Sequence, residues 1–233
     1  MQTVGNNAFS VLGPEDLLGS LNSVERKNAP AQLWIAGTAD IFKRGPRVAI
    51  VGARKASGEG LRRAARLARD LVAQDVVVVS GLAEGIDAAA HSATIAAGGL
   101  TAAVLGTPVD VLFPPANREL QRRIMEDFVA VSQFPPGHPV LRTNFPRRNR
   151  TMALLTDATV IVEASDGSGT LSQGWEALRL GRPLFLMKSV VEGGQLSWPR
   201  EMLQFGAEVL EQSEDLLEVL PFEEVGTLES LAF

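Results

Sequence analysis

The chain has 233 residues, 45% hydrophobic and 21% charged, which suits one large α/β domain or one domain with small appendages. It contains no cysteine, which excludes disulfides and thiolate metal sites, and its two histidines, His91 and His138, are too few and too far apart for a metal site. The net charge of −5 hides an asymmetry that keeps a phosphate-bearing partner open: residues 201–233 hold nine carboxylates and no Lys or Arg, so residues 1–200 carry +4.

No apolar run reaches the length of a membrane span and no signal peptide opens the chain, so a cytoplasmic protein without membrane contact is expected. Tyrosine is absent, so any base stacking must come from Phe, Trp, His or Arg. Residues 1–30 are polar, with a short helical pattern around Pro14–Val24, and read as an N-terminal extension. Ala31–Ala36 reads as a strand. Further strands are expected at Val48–Gly52, Val76–Ser80, Thr101–Leu105, Ala130–Gln133, Val160–Glu163 and Leu184–Met187. Helical spacing marks Gly60–Ala73, Ile86–Ala97, Arg118–Glu126, Arg147–Leu155, Leu171–Leu180 and Pro199–Gln204. Strands alternating with helices predict an α/β fold, a mostly parallel sheet with helices on both faces. Residues 31–210 form the expected core domain, and residues 211–233 an acidic C-terminal tail. Within that tail the leucine spacing of Ser213–Leu220 predicts a helix packed on the core or across a dimer.

Val48–Ser57, VAIVGARKAS, is the most informative segment. A run of small, mostly β-branched residues reads as a buried parallel strand. It stops at Gly52-Ala53, the cations Arg54 and Lys55 follow, and a helix begins after Gly58 and Gly60. Such a corner can present backbone amides and a helix N-terminus to a phosphate. Ligands of open parallel sheets bind beyond the carboxyl ends of strands, and three further strands end in glycine-bearing loops. These begin at Gly81, at Gly106, and at Asp166-Gly167-Ser168-Gly169-Thr170. Four such loops on one edge predict an anion-binding rim.

Arg142–Arg150, RTNFPRRNR, places four arginines around Phe145, with guanidinium forks for phosphate oxygens and a ring face for a base. Arginine at a helix N-terminus opposes the macrodipole, which points to a purpose other than helix stability. His91 is expected to pack or cap a helix, and Asp87 to cap it or orient loop donors rather than to form a catalytic pair with Glu84. The tryptophans Trp34, Trp175 and Trp198 read as core or edge packing.

Five motifs, VAIVGARKAS, VVVVSGLAEGIDAAAH, TAAVLGTPVDVLFPPANREL, FPRRNRTMALLTDATVIVEA and SGTLSQGWEALRLGRPLF, resemble in order and spacing those of the DNA-processing protein A (DprA/Smf) family. The likeness covers residues 31–187. It implies an extended Rossmann-like domain that binds single-stranded DNA, protects incoming strands during natural transformation and helps load the RecA recombinase. It further implies a homodimer, without catalytic chemistry or cofactor. Carried over by position, the phosphate pocket falls on Gly52, Ala53 and Arg54, on Phe145, Pro146, Arg147, Arg148, Asn149 and Arg150, and on Ser168, Gly169, Thr170 and Leu171.

The chain also departs from the family pattern. About 30 residues precede the core, where members usually carry a helical domain, and the acidic tail is shorter than a winged helix. Met187-Lys188-Ser189 replaces a V-P-G turn, and REMLQFGA (Arg200–Ala207) replaces the usual Asn-x-L-I-x-x-G-A segment. Two rival readings use the same pocket: a sensor of a small nucleotide-derived ligand, and a phosphoribohydrolase of the same superfamily. The hydrolases resembled carry a P-G-G-x-G-T-x-x-E loop, and Gln173 stands where their glutamate would be. An amide does no general acid/base work at neutral pH. The G-x-G-x-x-G fingerprint of dinucleotide dehydrogenases is missing after Val51. The sequence thus predicts a non-catalytic single-stranded-DNA-binding domain, its phosphates held by Arg54, Lys55 and loop amides, with Arg147, Arg148 and Arg150 along the strand's path.

Overall fold

The computed structural model describes residues 9–193 and 196–222. The N-terminal part comprises β1 (Ser10–Leu12), α1 (Pro14–Leu18), α2 (Ser23–Asn28) and β2 (Leu33–Gly37). A regular alternation follows: β3 (Arg47–Gly52), α3 (Gly58–Val72), β4 (Val77–Ser80), α4 (Ile86–Ala96), β5 (Thr101–Leu105), α5 (Arg118–Asp127) and β6 (Val129–Ser132). The C-terminal part has α6 (Asn144–Leu154), β7 (Ala158–Glu163), α7 (Gly169–Arg179), β8 (Leu184–Met187), α8 (Lys188–Glu192), α9 (Trp198–Gln204), β9 (Glu208–Leu210) and α10 (Glu214–Leu217).

The nine strands of the described residues join one sheet in the order β1-β2-β6-β5-β4-β3-β7-β8-β9. Strands β3 to β9 run parallel, and the antiparallel pairings among the described residues are those of β2, with β1 on one side and β6 on the other. From β3 the chain winds outward through β4, β5 and β6, then returns to β7 on the other side of β3 and winds away through β8 and β9. The α/β sheet is therefore doubly wound and Rossmann-like, with its switch point between β3 and β7, where such sheets bind ligands beyond their carboxyl ends.

Alternation along each strand sends side chains to both layers. Val48 and Ile50 of β3 join Ala64, Leu67, Ala68 and Leu71 of α3, while Ala49 and Val51 face the layer of α6 and α9 with Met152, Trp198 and Met202. A third cluster packs α5, through Ile124 and Met125, on Ala103 and Leu105 of β5. Burial of both faces explains why the strands read as continuous apolar runs. At the amino edge Arg47 clamps β7 to β3: Nη2 donates to Asp157 Oδ1 at 2.7 Å, and Nε and the backbone N–H donate to Oδ2 at 2.9 and 2.8 Å.

The structure adds β1, β9 and α8, too short to leave a periodic signature. Helix α6 begins at Asn144, earlier than its apolar spacing indicates, because Asn144 is buried and its Nδ2 donates to Pro139 O at 3.0 Å. Leu210, Leu216 and Leu220 of the acidic segment pack on the core beside Leu67 and Leu71. Glu223, Glu224 and Glu229 lie outside the described residues. Trp198 is buried. Among the described residues no helix is long and apolar enough to cross a membrane.

Candidate functional site

Two adjoining cavities, of about 280 and about 900 Å³, open along the carboxyl edge of the sheet. They share Arg54, Lys55, Ala83, Phe113, Phe145 and Arg148. The smaller lies between the loops after β3, β4 and β5, with Gly81, Leu82, Gly106, Pro114 and Pro115 in its walls. The larger sits at the β3/β7 switch point, against Gly52, Ala53, Asn149, Ser168, Gly169, Thr170 and Gln173. The four loops expected from sequence to form a rim thus converge. The linings hold four cations, Arg54, Lys55, Arg142 and Arg148, against two carboxylates, Glu84 and Asp87, in a chain that is acidic overall.

Arg148 organises this edge from within. Its side chain is buried; Nη1 donates to the carbonyls of Gly81 and Val104, each at 2.6 Å, and Nε to Asn149 Oδ1 at 3.0 Å. A Cβ at Gly81 would run into the guanidinium, which is why glycine stands there. Asp87 Oδ2 accepts from the backbone N–H groups of Gly81 and Ala83 at 3.1 and 3.3 Å, fixing the turn after β4. Within that turn Leu82 adopts φ +58°, a region that disfavours L-residues, while Asn117 Nδ2 donates to its carbonyl at 2.9 Å. Burial pushes the Asp87 carboxyl above its usual range, and the Arg148 charge opposes that shift. Burial likewise pulls the Arg148 guanidinium down, with Asp87 opposing.

Phe145, half-buried, forms the partition between the cavities. The Arg54 guanidinium lies over its ring, 5.6 Å from the centroid, and the Phe113 ring is 5.8 Å away at a tilt of 48°. A Cβ at Gly106 would stand 2.6 Å from Phe145 Cδ1, so glycine there makes room for the ring. Thr170 Oγ1 donates to Gly52 O at 2.9 Å, tying α7 to the end of β3. Ser168 caps α7, its Oγ accepting from Thr170 N–H at 3.2 Å. Asn149 Nδ2 donates to Gly169 O at 3.1 Å and to Ser172 Oγ at 2.7 Å, joining α6 to the same turn.

Two expectations change. The first turn of α3 does not face the groove: the carboxylate of Glu163, at the end of β7, fills it. Oε1 accepts from Ser57 N–H at 2.8 Å and Oε2 from the Ser57 hydroxyl at 2.5 Å, while Ser57 Oγ accepts from Gly60 N–H at 2.9 Å. An internal carboxylate there complements the macrodipole that an external anion would otherwise meet. The first turns that do border the larger cavity are those of α7, through Ser168, Gly169 and Thr170, of α6, through Phe145 and Pro146, and of α4, through Asp87. The second change concerns the arginine segment, which the helix divides. Arg142 and Arg148 line the groove, whereas Arg147 stacks on Phe134 at 5.3 Å and Arg150 turns to Glu176 at 3.3 Å. Phe113, unmarked by the sequence reading, was signalled only by its Pro-rich loop.

His91 is buried, with Nδ1 2.7 Å from Thr101 Oγ1. The Thr101 hydroxyl donates to Val78 O at 2.8 Å, and His91 thereby packs α4 to β5. Gln173 is buried too, its Nε2 3.4 Å from Thr159 Oγ1. Among the described residues no cluster of His, Asp and Glu could hold a metal ion.

A family model described as DNA recombination-mediator protein A matches residues 14–221. The chain is 36% identical over 195 residues to the DNA processing protein DprA of Streptococcus pneumoniae, covering 84% of this chain and 68% of that protein. It is 36% identical over 192 residues to a putative DNA processing protein DprA of Mycobacterium tuberculosis, 82% of this chain and 49% of that one. It spans, then, between about half and about two thirds of the length of these relatives. The X-ray structure of DNA processing protein A from S. pneumoniae aligns with a TM-score of 0.79 at 33% identity, over 92% of this chain and 75% of that one. DNA processing protein A from Helicobacter pylori, whose structure was described for its single-stranded DNA binding mode, shares the fold with a TM-score of 0.76 at 22% identity, over 90% and 94%.

Proposed function

The chain belongs to the DNA recombination-mediator protein A family, and from that premise we propose that its carboxyl-edge groove holds single-stranded DNA without catalysis. The observation that carries this reading is the partition of Phe145 beneath Arg54, with Phe113 behind it, between a small slot and a wide cationic cavity. A base lies against an aromatic face only when it is unpaired, so the slot selects single strands. Arg54, Lys55 and Arg142, exposed at the rim, meet the phosphates, and the first turn of α7 offers the backbone N–H of Gly169 to another, those of Ser168 and Thr170 being taken by Ser165 O and Ser168 Oγ. Arg148, Asn149, Gly81, Gly106, Gly52 and Ala53 shape the groove, while Arg147 and Arg150 contribute charge from its flank.

The role that family membership supports is DNA processing in natural transformation: protection of incoming strands and assistance in loading the RecA recombinase, by a homodimer in the cytoplasm. Hydrolysis of nucleoside monophosphates finds no support in the groove. A buried amide, Gln173, stands where the related hydrolases need a carboxylate, and it neither donates nor accepts a proton near neutral pH.

Titration of labelled oligonucleotides at about 50 and about 200 mM salt tests the reading, because phosphate-dominated binding falls steeply over that range. The expected result is tighter binding of single strands than of duplexes at both salts. Equal affinity for the two would leave the aromatic slot without a role and overturn the reading.

A further inference from the structure

Helix α3 carries Arg62, Arg63, Arg66 and Arg69 against Glu59 and Asp70, a surplus of +2 in a chain of formal charge −5. Its inner face, Ala64, Leu67, Ala68 and Leu71, is in the core. At about 100° per residue, Arg62, Arg66 and Arg69 fall within an arc of about 60°, so they form one stripe. All three are exposed. Successive members are separated by rises of about 6 and about 4.5 Å along the helix axis.

Several other surface arginines are paired with carboxylates. Arg122 pairs with Glu119, Arg123 with Asp127, Arg26 with Glu15, and both Arg150 and Arg179 with Glu176. On α3 a single carboxylate, Glu59, serves both Arg62 and Arg63. Arg66 and Arg69 have no carboxylate within ion-pair distance among the described residues. The helix leaves the rim directly after the groove residues Arg54 and Lys55, through its cap Ser57, and beyond Glu59, which pairs with Arg62 and Arg63, its arginines run down the side of the sheet. On one flank Arg66 and Arg63 line a cleft of about 490 Å³ together with Lys188 and the carboxylates Asp70, Glu192, Glu211 and Glu214.

We infer that the outer face of α3, through Arg62, Arg66 and Arg69, is a second track for the phosphates of a single strand, continuing the path out of the groove. This rests on the groove being the DNA site, and it makes affinity depend on strand length. Arginine suits the task because its guanidinium is weakly hydrated and forks onto phosphate oxygens.

The test uses the full chain and oligothymidylates of about 6 and about 25 nucleotides, read by fluorescence anisotropy, with four variants: Arg54→Ala, Arg66→Glu/Arg69→Glu, Arg66→Ala/Arg69→Ala, and Lys27→Glu/Arg44→Glu. The last changes formal charge equally at exposed sites that belong neither to the groove lining nor to α3. Arg66→Glu/Arg69→Glu should weaken the long strand about tenfold at about 50 mM salt and lower the salt slope by about 1.4, two contacts at about 0.7 each. The short strand should bind as to the unsubstituted protein. The alanine pair, compatible with helix, should show the same length selectivity with a smaller loss. Unchanged long-strand affinity in both α3 variants overturns the track. So does an equal loss in Lys27→Glu/Arg44→Glu, which would mean a net-charge effect. So does an equal loss for both lengths. Failure of the groove reading is separately visible: Arg54→Ala would then bind both lengths as tightly as the unsubstituted protein.

Discussion

Replacing Arg148 by Met separates scaffold from contact at the rim. The side chain is buried and makes three hydrogen bonds, at 2.6 Å to Gly81 O, 2.6 Å to Val104 O and 3.0 Å to Asn149 Oδ1. Methionine fills much of the same volume but leaves two carbonyls without a donor, at about 1–3 kcal/mol for each buried unsatisfied group. It also removes the cation that opposes the upward push of burial on the Asp87 carboxyl. These losses share one network and do not add, so the expected destabilisation is about 3–5 kcal/mol. Urea unfolding followed by the fluorescence of Trp34, Trp175 and Trp198 measures it. Arg54→Ala is the counterpart: Arg54 is exposed, so stability should stay within about 0.5 kcal/mol. Its single-stranded DNA affinity should fall by about 1.5–3 kcal/mol, the scale of a charge-assisted hydrogen bond. An Arg148→Met protein that unfolds at the same urea midpoint as the unsubstituted one would refute the assignment of Arg148 as the scaffold of the edge.

Three further outcomes are expected. Burial pulls His91 from 6.5 down to about 3, so the unfolded chain binds a proton that the native chain refuses. Stability present above pH 6.5 is therefore lost as pH falls toward 3, at up to about 1.4 kcal/mol per pH unit, and equilibrium unfolding between pH 6.5 and 5 should show a shallower acid limb in His91→Leu. Gly106→Ala sets a methyl 2.6 Å from Phe145 Cδ1, and overpacking of about 1–3 kcal/mol should displace the ring, which single-stranded DNA titration would register as weaker binding. Incubation with nucleoside monophosphates for hours should release no free base by chromatography, and turnover abolished by a groove substitution would show that the protein is a hydrolase.

The parallel core was legible because its strands are buried on both faces: Val48–Gly52 and Thr101–Leu105 read as uninterrupted apolar runs. The three-residue strands β1 and β9 were not, since a pattern of period two needs more residues than they supply. The glycine-bearing loops do meet at one edge, yet the reasons for their glycines differ from those that sequence suggests. Gly81 and Gly106 accommodate Arg148 and Phe145, side chains more than 35 positions away in the chain, and no local signal predicts such a contact. Glu163 closing the first turn of α3 was hidden for the same reason, as its partner Ser57 is 106 residues distant. The four arginines of Arg142–Arg150 looked alike as a charge run, and only the phase of α6 sends Arg148 inward, Arg147 to Phe134 and Arg150 to Glu176.

Photochemical cross-linking of the full chain to a single strand carrying a photoreactive pyrimidine, with the adducts mapped by mass spectrometry, tests the DNA groove most directly. A base in the slot places the reactive ring against Phe145 and Phe113, so adducts should concentrate on the peptides spanning 106–117 and 142–150 and fall away in Phe145→Ala. Adducts confined to the opposite, amino edge of the sheet, around Arg44 and Arg47, would contradict it.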